Sequence, residues 1–315
     1  MKKGKVYFSY SGRGFEFAVN SPYSKSTITL CLKSELREHD RQYIAIYIND
    51  EFTSKEKLIE GDNKIKISLS NSMGTTIIKI IKLNETYLSS IYLDDIILNG
   101  TSFANLHLAD KKKIGFFGDS ITCGYGLIDY HGEEFKMETE DFTKTYAFLA
   151  CQELGMDYTV IARSGISIGI KIWVDQLFSE IYDTVDMFDK CEVEDDLDYA
   201  VINLGANDNS GLFQTIKEEN RGEACQLFFD KYVTLLKRII SDNPDVKLAL
   251  CYNMLLVDDS IINEIKKARD YICSNYSNKC ETLEFVPNSD GASSHPYFTA
   301  HKKAARLLAD FLKDY

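Results

Sequence analysis

The spacing of apolar residues changes near residue 105, and this change constrains the fold more than any other feature of the sequence. Before it, apolar residues alternate with other residues along short runs such as Thr27–Leu32 and Tyr43–Ile48. After it, apolar runs are separated by stretches with helical spacing, such as Leu227–Ile240. Alternation indicates half-buried strands, and strands that alternate with helices indicate a parallel sheet. The sequence therefore predicts two domains, residues 1–105 and residues 106–315.

The first region has the pattern of an antiparallel sandwich. Turn-forming residues, including Asn49, Asp50 and Gly61, separate its alternating runs, and no stretch there has convincing helical spacing. Two packed sheets bury one face of each strand, and a jelly roll is the favoured sandwich of this kind. Residues 1–105 are therefore predicted to form an all-β jelly-roll sandwich, an accessory domain.

The second region contains short apolar runs that are candidates for buried strands. They are Ile114–Phe117, Tyr158–Ala162, Tyr199–Leu204, Val246–Tyr252 and Glu284–Val286. Helical stretches between them would cover both faces of a parallel sheet. Residues 106–315 are therefore predicted to form a three-layer α/β domain.

Charge, the length of the apolar runs and the cysteines indicate which partners and which location to expect. The 315 residues carry a formal charge of −12, and an acidic surface repels nucleic-acid phosphates and anionic lipid. No apolar run is long enough to span a membrane, and the N-terminus lacks the apolar segment of a signal peptide. The eight scattered cysteines include no C-x-x-C pair and predict reduced thiols. We expect no nucleic-acid or membrane partner, and a cytoplasmic location unless a leader has been removed; the oligomeric state stays open.

The most informative motif is Gly118-Asp119-Ser120, which directly follows the first apolar run of the second region. Ligands bind at the carboxyl ends of parallel strands, so a serine there has an exposed hydroxyl beside helix N–H groups. The alternative role is a simple N-cap serine. Neither a Gly-Lys-Ser/Thr triplet nor the G-x-G-x-x-G spacing is present, which excludes the two common phosphate loops.

Three further loops place reactive groups after later elements. Gly165 follows the second predicted strand, and its N–H could approach a substrate closely. Asn207, in Gly205-Ala206-Asn207-Asp208, follows the third and offers an amide donor, although turn formation is an alternative role. His295 precedes the last helix, and histidine is the usual general base for a serine nucleophile.

Together these four blocks, in this order, resemble the SGNH (GDSL-type) hydrolases over roughly residues 112–315. The sandwich that precedes a GDSITCGYG-type block is similar, more narrowly, to carbohydrate esterase family two. The resemblance implies a jelly roll followed by an SGNH domain with a flavodoxin-like parallel sheet. It also implies removal of acetyl groups from plant polysaccharide sugars without a cofactor or metal.

The resemblance assigns a role to each block. Ser120 would attack the acetyl carbonyl, with His295 as general base. The N–H groups of Ser120 and Gly165 and the amide of Asn207 would form the oxyanion hole. The family's usual Asp, three residues before the histidine, is replaced by Ala292. Asp290 is a candidate for orienting His295, and a backbone carbonyl or a turn role for Asp290 are the alternatives.

Candidate substrate contacts lie near these blocks. Aromatic faces suit the apolar side of a sugar ring, although packing is the alternative role for each residue. The candidates are Asp119, Tyr125, Tyr130, Phe135, Trp173 and Tyr297. The long loop Leu127–Thr143 is predicted to line the cleft. The remaining histidines, His39, His107, His131 and His301, are weaker candidates for the general base.

Three functions fit these observations. The first is an esterase that removes O-acetyl groups from small acetylated oligosaccharides of xylo-, manno- or gluco-type. The second is a lipase-, lysophospholipase- or thioesterase-type acyl hydrolase. The third is a carbohydrate-binding protein without catalysis. The acidic residues in the loop after Ser120 favour a neutral sugar over a phospholipid.

Overall fold

The structure, a computed structural model, describes residues 6–21, 25–37, 41–69, 74–106, 110–191 and 196–315. It divides into two units, Met1–Asp110 and Lys111–Tyr315, shortly after the change in hydrophobic spacing. The accessory role of the first region, and the exact domain boundary at residue 105, stay predictions.

The first unit is an antiparallel sandwich, which confirms the predicted fold class. One sheet has the order β1-β8-β3-β6 and the other β5-β4-β7-β2-β9. The strands are β1 (Tyr7–Phe8), β2 (Gly14–Ser21), β3 (Thr27–Leu36), β4 (Gln42–Ile48), β5 (Glu51–Leu58), β6 (Gly61–Ser68), β7 (Gly74–Lys82), β8 (Ser89–Asn99) and β9 (Ser102–Ala104). Apolar side chains from both sheets, such as Leu30 and Ile80, are fully buried in one core because the strands turn alternate residues inward.

The second unit is a five-stranded parallel sheet with the order β11-β10-β12-β13-β14, the flavodoxin-like order. Its strands are β10 (Lys113–Gly118), β11 (Asp157–Ala162), β12 (Tyr199–Asn203), β13 (Lys247–Tyr252) and β14 (Cys280–Glu284). Its helices are α1 (Ser120–Cys123), α2 (Tyr146–Leu154), α3 (Phe178–Ile181), α4 (Ala206–Gln214), α5 (Arg221–Asp242), α6 (Asp259–Asn275) and α7 (Phe298–Lys313). This arrangement confirms the predicted α/β class.

The last predicted strand was misplaced. Glu284–Val286 was expected, but β14 covers Cys280–Glu284, and Val286 is 72% exposed. The strand lies at the sheet edge, where only part of its surface is covered. Its sequence CETLE therefore lacks the continuous apolar run that marks a central parallel strand.

The strand register brings three loops to one edge of the sheet. Gly118, the last residue of β10, pairs with Ala162 of β11 on one side and with Asn203 of β12 on the other. The chain order reverses between β10 and β12, and such a switch point is where ligands bind in open α/β sheets. Within the described ranges, no helix is both long and apolar enough to cross a bilayer.

Candidate active site

The turn that presents Ser120 is built by steric and capping constraints. A Cβ on Gly118 would lie 2.0 Å from the Thr122 hydroxyl oxygen, so only glycine fits where β10 meets α1. Asp119 caps the short helix by accepting a hydrogen bond from the Ile121 N–H at 3.0 Å. Gly124 ends it in the left-handed conformation, with φ of 91°. We call residues 118–124 the serine turn.

The structure brings His295 to Ser120 across 175 residues of sequence. Nε2 of His295 lies 2.8 Å from Oγ of Ser120, and Nδ1 lies 3.2 Å from the carbonyl oxygen of Ser293. A ring with its proton on Nδ1 satisfies both contacts: Nδ1–H donates to the carbonyl, and Nε2 accepts from the hydroxyl. Removal of water from the ring by the surrounding protein lowers the pKa of His295 to about 4. The imidazole is therefore neutral at pH 7, as a general base must be.

Of the two candidates for orienting His295, the backbone carbonyl is the one that reaches the ring. The Ser293 carbonyl is aimed by an unusual backbone, because Ser293 and Ser294 have φ of 51° and 59°. The carboxylate of Asp290 instead accepts a hydrogen bond from the Asn288 amide at 2.6 Å. The structure therefore brings together Ser120, His295 and Ser293, but not the Asp290 side chain.

Asn207 and Gly165 lie in the neighbouring loops of the same sheet edge. The amide nitrogen of Asn207, which is 8% exposed, donates to the carbonyl of Ile166 at 2.9 Å and to Asp119 at 3.4 Å. The second contact is long, so this N–H can turn toward an oxyanion as one forms. Gly165 has φ of 76°, and a Cβ there would lie 2.9 Å from the Cβ of Trp173. Glycine is required at this position by the left-handed backbone and by the Trp173 side chain, while the approach of a substrate to its N–H stays a prediction.

Asp208 is a site residue to which sequence reasoning gave no role. Its buried carboxylate accepts three backbone hydrogen bonds, from the N–H groups of Ile168, Gly169 and Ile170, at 2.7 to 2.9 Å. Burial raises the pKa of Asp208 to about 6, and these three N–H groups oppose the rise. The carboxylate therefore attaches residues 163–170, which we call the glycine loop, to the start of α4. Its position beside Asn207 in the motif was the available signal.

The segment after the serine turn runs beside residues 288–297, which we call the histidine loop. Backbone N–H groups of Ala292 and Ser293 donate to the carbonyls of Gly126 and Glu133, at 3.0 and 3.3 Å. In the other direction, His131 N–H donates to the Asp290 carbonyl at 2.7 Å. The predicted cleft-lining loop is thus the structural support of the histidine loop.

The candidate substrate contacts fall into three groups. Trp173, beside Gly165, is 60% exposed, and the Tyr130 ring is 63% exposed and stacks on Tyr297 at 5.0 Å. Tyr125 stacks on Phe135 at 4.2 Å and lies 4.5 Å from the His295 ring. Asp119 is 1% exposed, and its two carboxylate oxygens face the Ile121 N–H and the Asn207 amide. Only the first group presents broad aromatic surface to solvent.

The two other histidines within the described residues, His131 and His301, have hydrogen-bond partners other than Ser120. His301 is buried in α7, where Nδ1 accepts a hydrogen bond from the Tyr146 N–H at 3.1 Å. His131 contacts the Ser289 carbonyl at 3.2 Å. His39 and His107 lie outside the described residues. Among the residues that are described, no group of three or more His, Cys, Asp or Glu could hold a metal ion.

Comparisons with known proteins agree with this arrangement. The sequence profile of the GDSL-like Lipase/Acylhydrolase family matches residues 116–304. The chain is 25% identical over 229 residues to Cellulase/esterase CelE of Acetivibrio thermocellus, covering 65% of this chain but only 26% of that protein. It is 21% identical over 286 residues to the Acetylxylan esterase / glucomannan deacetylase of Cellvibrio japonicus, covering 86% of this chain and 76% of the relative.

Solved structures show that the fold of both units recurs together. A family two carbohydrate esterase from Clostridium thermocellum, in complex with cellohexaose, superposes with a TM-score of 0.84. The match covers 98% of this chain and 94% of that chain at 18% identity. The family profile spans more than half of the sequence and includes Ser120, Asn207 and His295. On this ground, the chain belongs to the GDSL-like lipase/acylhydrolase family.

Proposed function

We propose that the protein is a serine esterase that removes O-acetyl groups from small acetylated oligosaccharides. The observation that carries the proposal is the 2.8 Å contact between Ser120 Oγ and His295 Nε2 at the ligand-binding edge of the sheet. The relatives support the substrate class, because one is named an acetylxylan esterase and glucomannan deacetylase. They also favour xylo-, manno- or gluco-type sugars over lipids.

The geometry suits acyl transfer through an acyl-enzyme. Oγ of Ser120 attacks the acetyl carbonyl carbon while Nε2 of His295 takes the hydroxyl proton. The N–H groups of Ser120 and Gly165 and the amide of Asn207 stabilise the oxyanion, at about 2.7–4 kcal/mol for each donor. His295 then passes its proton to the departing sugar oxygen. In the second half-reaction, His295 takes a proton from the water that attacks the acyl carbon and passes it to Ser120 Oγ, as the bond from Oγ to that carbon breaks and acetate leaves.

Exposed aromatic rings support a sugar substrate. Trp173 lies beside the proposed oxyanion donor Gly165 and is 60% exposed. Its indole face suits the apolar side of a pyranose next to the scissile acetyl group. Tyr130 and Tyr297 offer a second aromatic surface. The formal charge of −12 disfavours anionic acyl substrates.

Acetate release from acetylated xylo-, manno- and gluco-oligosaccharides, compared between wild type and Ser120→Ala, tests the proposal. We expect the variant to lose activity by at least about a thousandfold, because no nucleophile remains. Ser274→Ala, which alters an exposed serine on α6, is the matched control and should retain full activity. Unchanged hydrolysis by Ser120→Ala would refute the site assignment.

An acyl hydrolase of longer chains is the second candidate, because the family also includes lipases. The ratio of kcat/KM on 4-nitrophenyl acetate to that on 4-nitrophenyl octanoate separates the two. A sugar deacetylase should prefer the acetate. A clear octanoate preference would overturn the substrate class while leaving Ser120 and His295 in their roles.

Binding without catalysis is the third candidate, because a solved relative holds cellohexaose. Calorimetry with wild type and with Ser120→Ala, beside the acetate assay, distinguishes it. Sugar binding by both, with no acetate released by wild type, would favour this candidate.

We also propose a cytoplasmic location, with which the eight free thiols are compatible. Cell fractionation tests it.

A further inference from the structure

Three rings form a stack that ends on the general base of the proposed mechanism. The Tyr125 ring centroid lies 4.2 Å from that of Phe135, with an interplanar angle of 14°. It lies 4.5 Å from the His295 ring centroid, with an angle of 40°. Two rings this close to Tyr125 cannot share one side of it, so Phe135 and His295 cover opposite faces. Neither face is left for a sugar, in contrast to the predicted substrate role.

The backbone of residues 125 and 126 is hydrogen-bonded both to the serine turn and to the histidine loop. The N–H of Tyr125 donates to the Ser120 carbonyl at 3.1 Å, while the next carbonyl, of Gly126, accepts from the Ala292 N–H at 3.0 Å. Gly126 has φ of 65°, and a Cβ there would lie 2.7 Å from the Ala292 carbonyl oxygen. Tyr125 is therefore fixed between the serine turn and the histidine loop.

The hydrogen bond that orients His295 is weaker than a hydrogen bond to a carboxylate. Its Nδ1–H meets a neutral carbonyl at 3.2 Å, where a carboxylate would supply a full charge. When Nε2 takes the Ser120 proton, the ring becomes a cation in a site from which water is partly removed. A cation within about 6 Å of an aromatic face is attracted by the quadrupole of the ring. Tyr125 meets this condition on the side of His295 that it covers.

We infer that Tyr125 is a positioning residue, whose ring holds the His295 imidazole toward Ser120 and stabilises its cationic form. This role rests on the proposed esterase function. The proton passes from Ser120 Oγ to His295 Nε2 and on to the leaving oxygen; Tyr125 neither gains nor loses one. The ring is what matters, so phenylalanine should replace it and leucine should not.

Two substrates, with and without a sugar, separate positioning from substrate contact. For Tyr125→Leu we expect kcat to fall by about tenfold on both 4-nitrophenyl acetate and acetylated xylo-oligosaccharide, the size of a lost ring–cation contact. KM should stay within about twofold. Tyr125→Phe should restore kcat to within about twofold of wild type. Tyr271→Leu, which removes a ring remote from the site, packed edge-on against Phe229, should match wild type.

Several outcomes would overturn the inference. They are a loss confined to the sugar substrate, a loss carried by KM, or a Tyr125→Phe variant as slow as Tyr125→Leu. Circular dichroism checks that the variants fold. If Tyr125→Leu does not, Phe135→Leu carries the test, with a smaller fall in kcat expected on both substrates and an unchanged kcat refuting the role. A wild type inactive on every ester would instead refute the proposed function.

Discussion

The serine turn and the histidine loop meet at one hydrogen bond, yet they are held in place differently. The serine turn is fixed by its own sequence, through the absent side chain of Gly118, the Asp119 cap and the left-handed Gly124. The histidine loop has no helix or strand of its own beyond the short 3₁₀ turn 292–294. Its position depends on hydrogen bonds and ring contacts with residues 125–135.

The position of Ser120 is therefore set by residues close to it in sequence, which we call local control. The position of the histidine loop is set by residues far from it in sequence, which we call long-range control. Residues that present Ser120 lie within a few positions of it, so their effect is steric and immediate. Apart from the nearby Ser293 carbonyl, the residues that hold the histidine loop in place are about 160 to 170 positions away from it in sequence, so they act only once the fold has formed. Substitutions in the two regions should therefore differ in the size and the kind of effect.

Gly118→Ala should have the largest effect, because it places a side chain inside the serine turn that presents Ser120. The new Cβ would lie 2.0 Å from Thr122 Oγ1 and 2.6 Å from Thr122 Cβ, so the turn must shift. We expect activity on 4-nitrophenyl acetate to fall by about a hundredfold or more, since a displacement of about 1 Å at a reacting group costs that much. Overpacking should also lower the free energy of unfolding by about 1–3 kcal/mol, measured by urea denaturation.

The matched control is Gly222→Ala, also a glycine-to-alanine change. No atom lies within 4 Å of a Cβ at Gly222, which is exposed in α5. Alanine should stabilise this helix by up to about 1 kcal/mol and leave activity unchanged. A Gly118→Ala variant that behaves like Gly222→Ala would show that the serine turn is not fixed locally.

Asp208→Asn should have the next largest effect, because it weakens the attachment of the glycine loop. An amide in place of the carboxylate turns an NH₂ group toward one or more of the three backbone N–H donors at Ile168, Gly169 and Ile170. We expect kcat to fall by about ten- to a hundredfold as the Gly165 N–H loses its position. The free energy of unfolding should fall by about 1.5–3 kcal/mol. Full activity at wild-type stability would contradict this role.

The pH dependence of stability should separate the two histidines from Asp208. Burial lowers the pKa of His295 to about 4 and of His301 to about 3, so between these values and about 6.5 only the unfolded chain binds their protons. Stability should fall on acidification below pH 6.5. Asp208, with its pKa raised from 3.8 to about 6, has the opposite sign between those two values, because the folded state binds its proton first.

Between pH 6 and 4, the unfolded chain binds two more protons than the folded protein at His295 and His301, and the folded protein binds one more at Asp208. The unfolded chain therefore binds about one proton more in total. We expect the free energy of unfolding to fall by about 1.4 kcal/mol per pH unit, and about twice as steeply in Asp208→Asn. Chemical denaturation at each pH measures it. A stability that rises on acidification, or a variant slope no steeper than wild type, would rule out this assignment.

The sequence predicted the parts of the site that local chemistry fixes. The turn at Ser120 and the amide of Asn207 each follow an apolar run that forms a buried strand, and parallel topology places them at one edge. The ring stack of Phe135, Tyr125 and His295 was not predictable, because no local pattern reports contacts across 160 residues. Asp208 was overlooked because its one signal, the position beside Asn207 in the motif, does not report the three backbone N–H groups from which its carboxylate accepts hydrogen bonds. Strand β14 was misplaced because an edge strand lacks a continuous apolar run.

Asp290→Asn should have the smallest effect. It tests whether the Asp290 carboxylate helps to orient His295. The Asp290 side chain accepts from Asn288, and an asparagine oxygen can still do so. Nδ1 of His295 faces the Ser293 carbonyl, which this substitution leaves in place. We therefore expect kcat on 4-nitrophenyl acetate to change by less than about threefold, whereas loss of a true carboxylate orienter costs about 10⁴-fold.

Ser293→Pro provides the contrast within the same loop. Proline fixes φ near −65°, while Ser293 has φ of 51°, so its ring forces the backbone, and with it the carbonyl at Nδ1, to turn away. We expect kcat to fall by at least tenfold, with KM nearly constant; Ser293→Gly, which permits the observed φ, should stay close to wild type. A large loss in Asp290→Asn together with a silent Ser293→Pro would reverse the assignment. The carboxylate would then orient His295, and the support from residues 125–135 would serve only to hold the loop that carries it.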